Sequence, residues 1–494
     1  GRALLDMVST RWGRELTGEE LAKEQRLDNE IVRLSGILDV LAEKNESAVS
    51  VDVDLVHGVL LAAEAEWTTF QFELKRKYPL SEGQSYSLDK VQEVLGPDEG
   101  IVSWLETDGM SFVYVLDSEG PVAWVALEAE NRPNDPRSLI DALSDPGREP
   151  GAWRVAAEEV FNRWLAPVQD KLFRLNHIYV IPSGSMAGIP VETLEIGDGE
   201  LMIDRWEVSY IPSATVLVWL KGRDRPGAKP SLLALGDPPF NAEQASAMDG
   251  NLPGTELAAA GRVQEWDAIV RGASAGNRGA IDRLERLGGA RREIETISAL
   301  FDNSTILLGR EASEGNLLRY VTSDTAADYR YLHFATHAFP HQTWGIKSSL
   351  ILSQVDLPDA QLAALRGERI LDGRLTMEEV MREWRIDADL VTLSACETAL
   401  GQRARGEGYV GFAHAFFIAG ARSVVVSLWK VADRPTRLLM ERFYTNMVRK
   451  DMSKSKALRE AKLWLRDLEN LRGERPYRHP YYWSAFVLIG DAGD

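Results

Sequence analysis

The sequence predicts an α/β protein: a mostly parallel sheet flanked by helices, with a helical segment in front of it. Three observations carry that prediction. From about residue 231 onward, short apolar runs alternate with helical stretches. Several of those runs, LVTL (390–393) and SVVV (423–426) among them, lack the polar alternation of a half-solvated strand, as strands buried on both faces do. The first 95 or so residues show only helical periodicity.

Taken in order, residues 1–96 read as helices. Thr17 and Glu20 have the spacing of a capping box. Ile31, Leu34, Leu38 and Leu41 then form one apolar stripe. A second helix is expected from about Asp54 to Tyr78, stopped by Pro79. A third, in SLDKVQEVLGP, exits through Gly96 and Pro97. Such helices are compatible with the tail of a helical repeat array, although no internal repeat period stands out.

The runs IVSWLE, SFVYVLD and PVAWVALE, split by Asp108-Gly109 and Glu119-Gly120, read as an antiparallel meander. A helical stretch near 151–175 precedes strands at HIYVIP (177–182), LMID (201–204) and EVSYIP (207–212). Beyond 231, strands are expected at SLLALGD, TILLG, YLHFAT, SLILS, LVTLS, SVVVSLW and AFVLIG. Helices are expected near 290–301, 313–322, 376–384, 409–419 and 435–448. Residues 241–290, with RGASAGNRGA and LGGARRE, read as a Gly/Ala/Arg-rich surface insertion. Its tip is a candidate cleavage site, after Arg271 or Arg278.

The chain of 494 residues has room for two or three domains. Its net charge of −19, from 75 acidic and 56 basic residues, argues against direct nucleic-acid binding. No apolar run approaches a membrane span, and the first residues lack the order of a signal peptide. A single cysteine cannot form an internal disulfide, so a cytoplasmic location is expected.

That cysteine, Cys396, stands just past the run Leu390–Leu393, and His337 just past YLHFAT. In an open α/β sheet, chemistry gathers at the carboxyl ends of strands. If these two strands are neighbours, a thiol and an imidazole face each other across one edge. The imidazole can then take the thiol proton and return it to a leaving group. A lone cysteine is more often a small buried hydrophobe, so residue pattern alone leaves the dyad and the structural reading equally open.

Other chemistries fit less well. His333, His337 and His341 fall on a strand and a loop, without H-E-x-x-H spacing, and no metal site is expected. PSGSMAG (182–188) lacks the first glycine of G-x-S-x-G. No phosphate loop or dinucleotide fingerprint occurs, and no cofactor is expected.

At HFATHA (333–338) and LVTLSACETALG (390–401) the sequence resembles the CHAT family of caspase-like, separase-related cysteine peptidases. GEGYVGFAHAFFIAGARSVVVSLWKVAD (406–433), HPYYWSAFVLIG (479–490), HIYVIPSGSMAGIPVETL (177–194) and SLLALGDPPF (231–240) extend the resemblance. It implies a caspase-like fold, with a pseudo-protease-like α/β region over 97–230 and an active peptidase domain over 231–494. It implies Cys396 as nucleophile, His337 as general acid/base and His333 as structural. The oxyanion would be held by the backbone N–H groups of Ala338 and Cys396, although Ala338 stands where relatives commonly carry glycine. Ser427, Leu428 and Trp429 would flank an extended substrate, with Glu397 and Asp433 as candidate acidic pocket groups. A protein substrate is implied, together with an activating partner on the helical region, in bacterial stress, defence or cell-death signalling. A catalytically silent scaffold is the alternative.

Overall fold

A computed structural model describes residues 17–43, 50–77, 86–107, 110–127, 136–147, 151–223, 230–249, 278–322, 328–339, 347–366, 368–394 and 412–493. The expected capping box opens the first helix, Gly18–Glu43: Glu20 N–H donates to Thr17 Oγ1 and Thr17 N–H to the Glu20 carboxylate. Ile31 and Leu34 are buried against Leu60 and Ala63 of the second helix, Ser50–Lys77. This hairpin rests on helices Ala360–Leu365 and Met377–Glu383, and the Arg382 guanidinium lies 5.8 Å from the Trp67 ring centre.

Sixteen strands follow among the described residues. The meander is β1 (Glu99–Thr107), β2 (Met110–Asp117) and β3 (Ala123–Leu127), followed by β4 (His177–Ile181). A small ribbon, β5 (Glu195–Gly197) and β6 (Glu200–Leu201), precedes β7 (Glu207–Tyr210). Then come β8 (Ser231–Gly236), β9 (Asn303–Leu308), β10 (Tyr331–Ala335), β11 (Ala338–Phe339), β12 (Ser349–Ile351) and β13 (Arg374–Thr376). The last three are β14 (Leu390–Leu393), β15 (Ser423–Ser427) and β16 (Phe486–Gly490). Eleven of them form one sheet in the order β3-β2-β1-β4-β7-β16-β15-β14-β10-β8-β9. Pairing is parallel except within the meander and between β15 and β16. The mostly parallel sheet read from the sequence is present.

Successive strand residues point to opposite faces, and β10 shows what covers each. His333 meets Glu293 of helix Gly288–Ser298 and Tyr444 of helix Asp433–Lys450. Phe334, on the other face, packs on Trp384 and on Phe416 of helix Phe412–Ala419. Helix Lys454–Asp467, for which the sequence supplied no separate boundaries, packs along Asp433–Lys450.

Three expectations need correction. LMID is not a strand: Leu201 ends β6, and Met202–Arg205 turn helically as the Asp204 carboxylate accepts the Leu201 N–H. SLILS does form a strand, but β12 lies in a separate antiparallel sheet with β11 and β13. The insertion is not wholly a surface feature. Ala280, Ile281 and Leu284 are buried with Phe240, Phe339 and Ile351. Arg271 lies outside the described residues, while Arg278 opens the short helix Arg278–Ile281.

Candidate active site

β8, β10, β14 and β15 run parallel, so their carboxyl ends share one edge. The register pairs Phe334 with Leu393, and Ser394 N–H donates to the Phe334 carbonyl at 2.8 Å. The adjacency required for a dyad is therefore met: the segments carrying His337 and Cys396 leave neighbouring strands. Cys396 and Glu397 themselves lie outside the described residues.

His337 is held in a narrow setting. Just before it, Thr336 Oγ1 donates to the Ile351 carbonyl. The imidazole is 2 % exposed and lies between Phe240 and Phe339, with ring centres 5.2 and 6.3 Å away. Nε2 is 2.9 Å from the Glu285 carbonyl oxygen. A carbonyl can only accept, so Nε2 carries the proton and Nδ1 is the basic nitrogen. Burial drives the pKa down to about 4, against an upward pull from the Glu285 bond and with a further downward push from Lys430. The ring is neutral at pH 7 and able to accept a proton at Nδ1.

Ala338 is the first residue of β11, paired opposite Leu350. The bond from Ile351 N–H to the His337 carbonyl flanks that pair, which makes it a non-hydrogen-bonded one. The Ala338 N–H therefore points away from β12. Ala338 is absent from the positive-φ residues, so alanine there carries no left-handed strain.

The segment after β15 is well buried. Ser427 Oγ donates to the Trp429 carbonyl, Leu428 N–H to the Ala485 carbonyl, and Trp429 Nε1–H to the Tyr481 carbonyl. Trp429, at 5 % exposure, is a core side chain here. Pairing of β15 with β14 stops at Val425, while β16 follows β15 to Ser427. Asp433 is exposed at the start of its helix, with Cβ over Gly289. His333 is fully buried: Nε2 lies 2.8 Å from Glu293 Oε1 and Nδ1 3.2 Å from Tyr444 OH, which also meets Thr392 Oγ1 at 2.9 Å. Burial first of all raises the Tyr444 pKa.

Sequence reasoning missed Asp237, Glu285 and Arg286. Asp237 follows β8 with φ 51° and a fully buried side chain. Arg286 clamps its carboxylate through two bonds, of 2.7 and 2.6 Å, and Arg291 Nε adds a third at 2.9 Å. The usable signal was Ile281, Leu284 and Leu287 at three-residue spacing ahead of the glycine pair, an apolar face within a polar-looking stretch.

Residues 154–491 match the sequence model of the CHAT domain. The chain belongs to the CHAT domain family. Among curated proteins, the CHAT chain is similar to mouse Tetratricopeptide repeat protein 28, with 31% identity over 106 residues, 22% of this chain and 4% of that protein. The human protein of the same name is 25% identical over 183 residues, 32% of this chain and 7% of the relative. The chain thus spans less than a tenth of these relatives. Among solved structures it is similar to separase in the Saccharomyces cerevisiae separase–securin complex: TM-score 0.43, 10% identity, 81% of this chain and 30% of that chain. It is also similar to the Arg-specific cysteine proteinase gingipain R: TM-score 0.38, 9% identity, 73% and 74%. No helix among the described residues is long and apolar enough to cross a membrane.

Proposed function

We propose that the chain is a cysteine endopeptidase in which Cys396 attacks the scissile carbonyl and His337 acts as general acid/base. The observation that carries this reading is the pairing of β10 with β14. It sends the histidine and cysteine segments of a CHAT chain off the same sheet edge, with the basic Nδ1 of His337 fixed by the Nε2–H bond to Glu285.

The Sγ proton passes to Nδ1 as the carbon–sulfur bond forms. The resulting imidazolium keeps its Nε2–H on the Glu285 carbonyl. Nδ1–H then protonates the departing amine, and a water molecule, deprotonated at the same nitrogen, releases the acyl group. Backbone N–H groups of Ala338 and Cys396 receive the oxyanion, consistent with an Ala338 N–H turned away from β12. The substrate is a protein segment in extended form. It pairs on the side of Val426 and Ser427 that runs past β14, beside Leu428 and Trp429, with Glu397 and Asp433 as acidic groups at its rim.

The packed helices Gly18–Glu43 and Ser50–Lys77, the second of which exposes Leu55, Val59 and Leu61, receive an activating partner. Burial of His337 suits a resting chain that such a partner opens. Stress or defence signalling in a bacterial cytoplasm is the setting that the CHAT resemblance supports. Cys396→Ala and His337→Ala chains should each lose cleavage of a peptide library while keeping the parent circular dichroism. Parent-level cleavage by either sinks the proposal. If an electrophilic peptide probe leaves Cys396 unlabelled even when the physiological partner is bound, the chain is a silent scaffold instead.

A further inference from the structure

The Glu285 carbonyl that holds His337 belongs to the peptide unit leading directly into Arg286. Arg286 in turn is locked by a two-point fork onto Asp237, a carboxylate with no exposure at the end of β8. We propose that Asp237 and Arg286 are positioning residues for His337: their ion pair fixes the peptide whose carbonyl selects the ring's tautomer and aim.

Three features make the device specific. Asp237 is anchored by its backbone, since its N–H donates to the Ala335 carbonyl of β10, the strand that leads to His337. Its left-handed φ of 51° is a conformation that aspartate tolerates better than most side chains. Gly236 lets the strand ends close up, because a Cβ there would sit 2.8 Å from the Ala335 carbonyl oxygen. The carboxylate thus belongs to the same rigid edge as the histidine. Arg286 reaches it from the loop before helix Gly288–Ser298, bringing the Glu285 carbonyl along. The fork supplies direction as well as charge, which a lysine at the same place would not. Arg291 touches the same carboxylate from the helix, several residues along the chain from the Glu285 carbonyl.

The proposal rests on the peptidase reading for its catalytic meaning, but its geometry can be read without turnover. In a Cys396→Ala chain with 15N-labelled histidines, the His337 signal, assigned by its loss in His337→Gln, should show the Nε2–H tautomer near neutral pH. Asp237→Asn and Arg286→Lys should each bring in the Nδ1–H tautomer, whereas Arg291→Gln should not. Arg286→Lys keeps the charge and provides the test if Asp237→Asn fails to fold. In the Cys396 chain, Arg286→Lys should lower kcat by about 10²-fold with KM little changed. An unchanged tautomer in both Asp237→Asn and Arg286→Lys overturns the proposal, as does an equal change in Arg291→Gln. A tautomer change in a parent chain that cleaves nothing even with its activating partner bound would sink the peptidase reading and leave the positioning role standing.

Discussion

A neutral imidazole enclosed by two phenyl rings ties the stability of this chain to pH. Burial lowers the His337 pKa from 6.5 to about 4, and burial likewise lowers that of His414, on helix Phe412–Ala419, to about 4. Below pH 6.5 the unfolded chain takes up a proton at each site that the folded chain refuses until about pH 4. The stabilisation is therefore complete above pH 6.5 and is lost as pH falls through that window. A shift of this size corresponds to about 3 kcal/mol per histidine. The measurement is urea unfolding, followed by tryptophan fluorescence, at steps between pH 7 and pH 4. His337→Gln keeps a donor for the Glu285 carbonyl and removes the titration. Its stability should fall less steeply than that of the parent, with the gap between the two changing by about 3 kcal/mol over the window. Parallel curves would refute the buried neutral ring. The same state bears on the thiol. An uncharged imidazole offers no positive charge to hold a thiolate, so resting Cys396 should alkylate slowly at pH 6 and faster towards pH 8.5, like an ordinary thiol. Because Cys396 is the only cysteine, one iodoacetamide adduct by mass reports it alone. Fast labelling at pH 6 in the absence of a partner would instead mean a preformed thiolate–imidazolium pair.

Two further perturbations test how the site is framed. In Gly236→Ala the new Cβ would stand 2.5 Å from Ile294 Cδ1 and 2.8 Å from the Ala335 carbonyl oxygen. The backbone oxygen cannot rotate away, so stability should drop by about 1–3 kcal/mol, read as a lower urea midpoint at unchanged slope. Trp67 packs on both apolar clusters of the helical hairpin and meets Arg382 of the α/β region. Trp67→Ala should loosen the hairpin by about 2 kcal/mol, so that limited proteolysis clips it earlier while the remainder persists at the parent rate.

Local signals were legible where local physics decides. The Thr17–Glu20 cap and the apolar runs of β8, β10, β14 and β15 each depend on a few consecutive residues, while the stop expected at Pro79 lies outside the described residues. LMID failed because Asp204 reaches back to the Leu201 N–H, a local bond that overrides a short apolar pattern. SLILS forms the expected strand, but it pairs with β11 and β13 outside the main sheet. Nothing in three or four residues tells a strand which neighbour it will meet, since a crossover decides that.

The same limit explains why the candidate residues Cys396 and His337 were visible and the groups around His337 were not. Cys396 and His337 announce themselves by standing past buried strands, a position that reads along the chain. Asp237, Glu285 and Arg286 look like ordinary polar residues until the fold pairs Arg286 with Asp237 and the Glu285 carbonyl with His337. Around Arg286 the sequence has the polarity of a surface loop because its charges and its carbonyl are consumed by partners from other segments. A polar stretch whose hydrogen-bonding capacity is spent inward is chemically the opposite of a loop, yet its composition is the same. At this edge the feature that distinguishes them is the burial of one carboxylate, Asp237. A charge without exposure has to be answered by other charges, and Arg286, which answers it, is joined through its own peptide bond to the Glu285 carbonyl that holds His337.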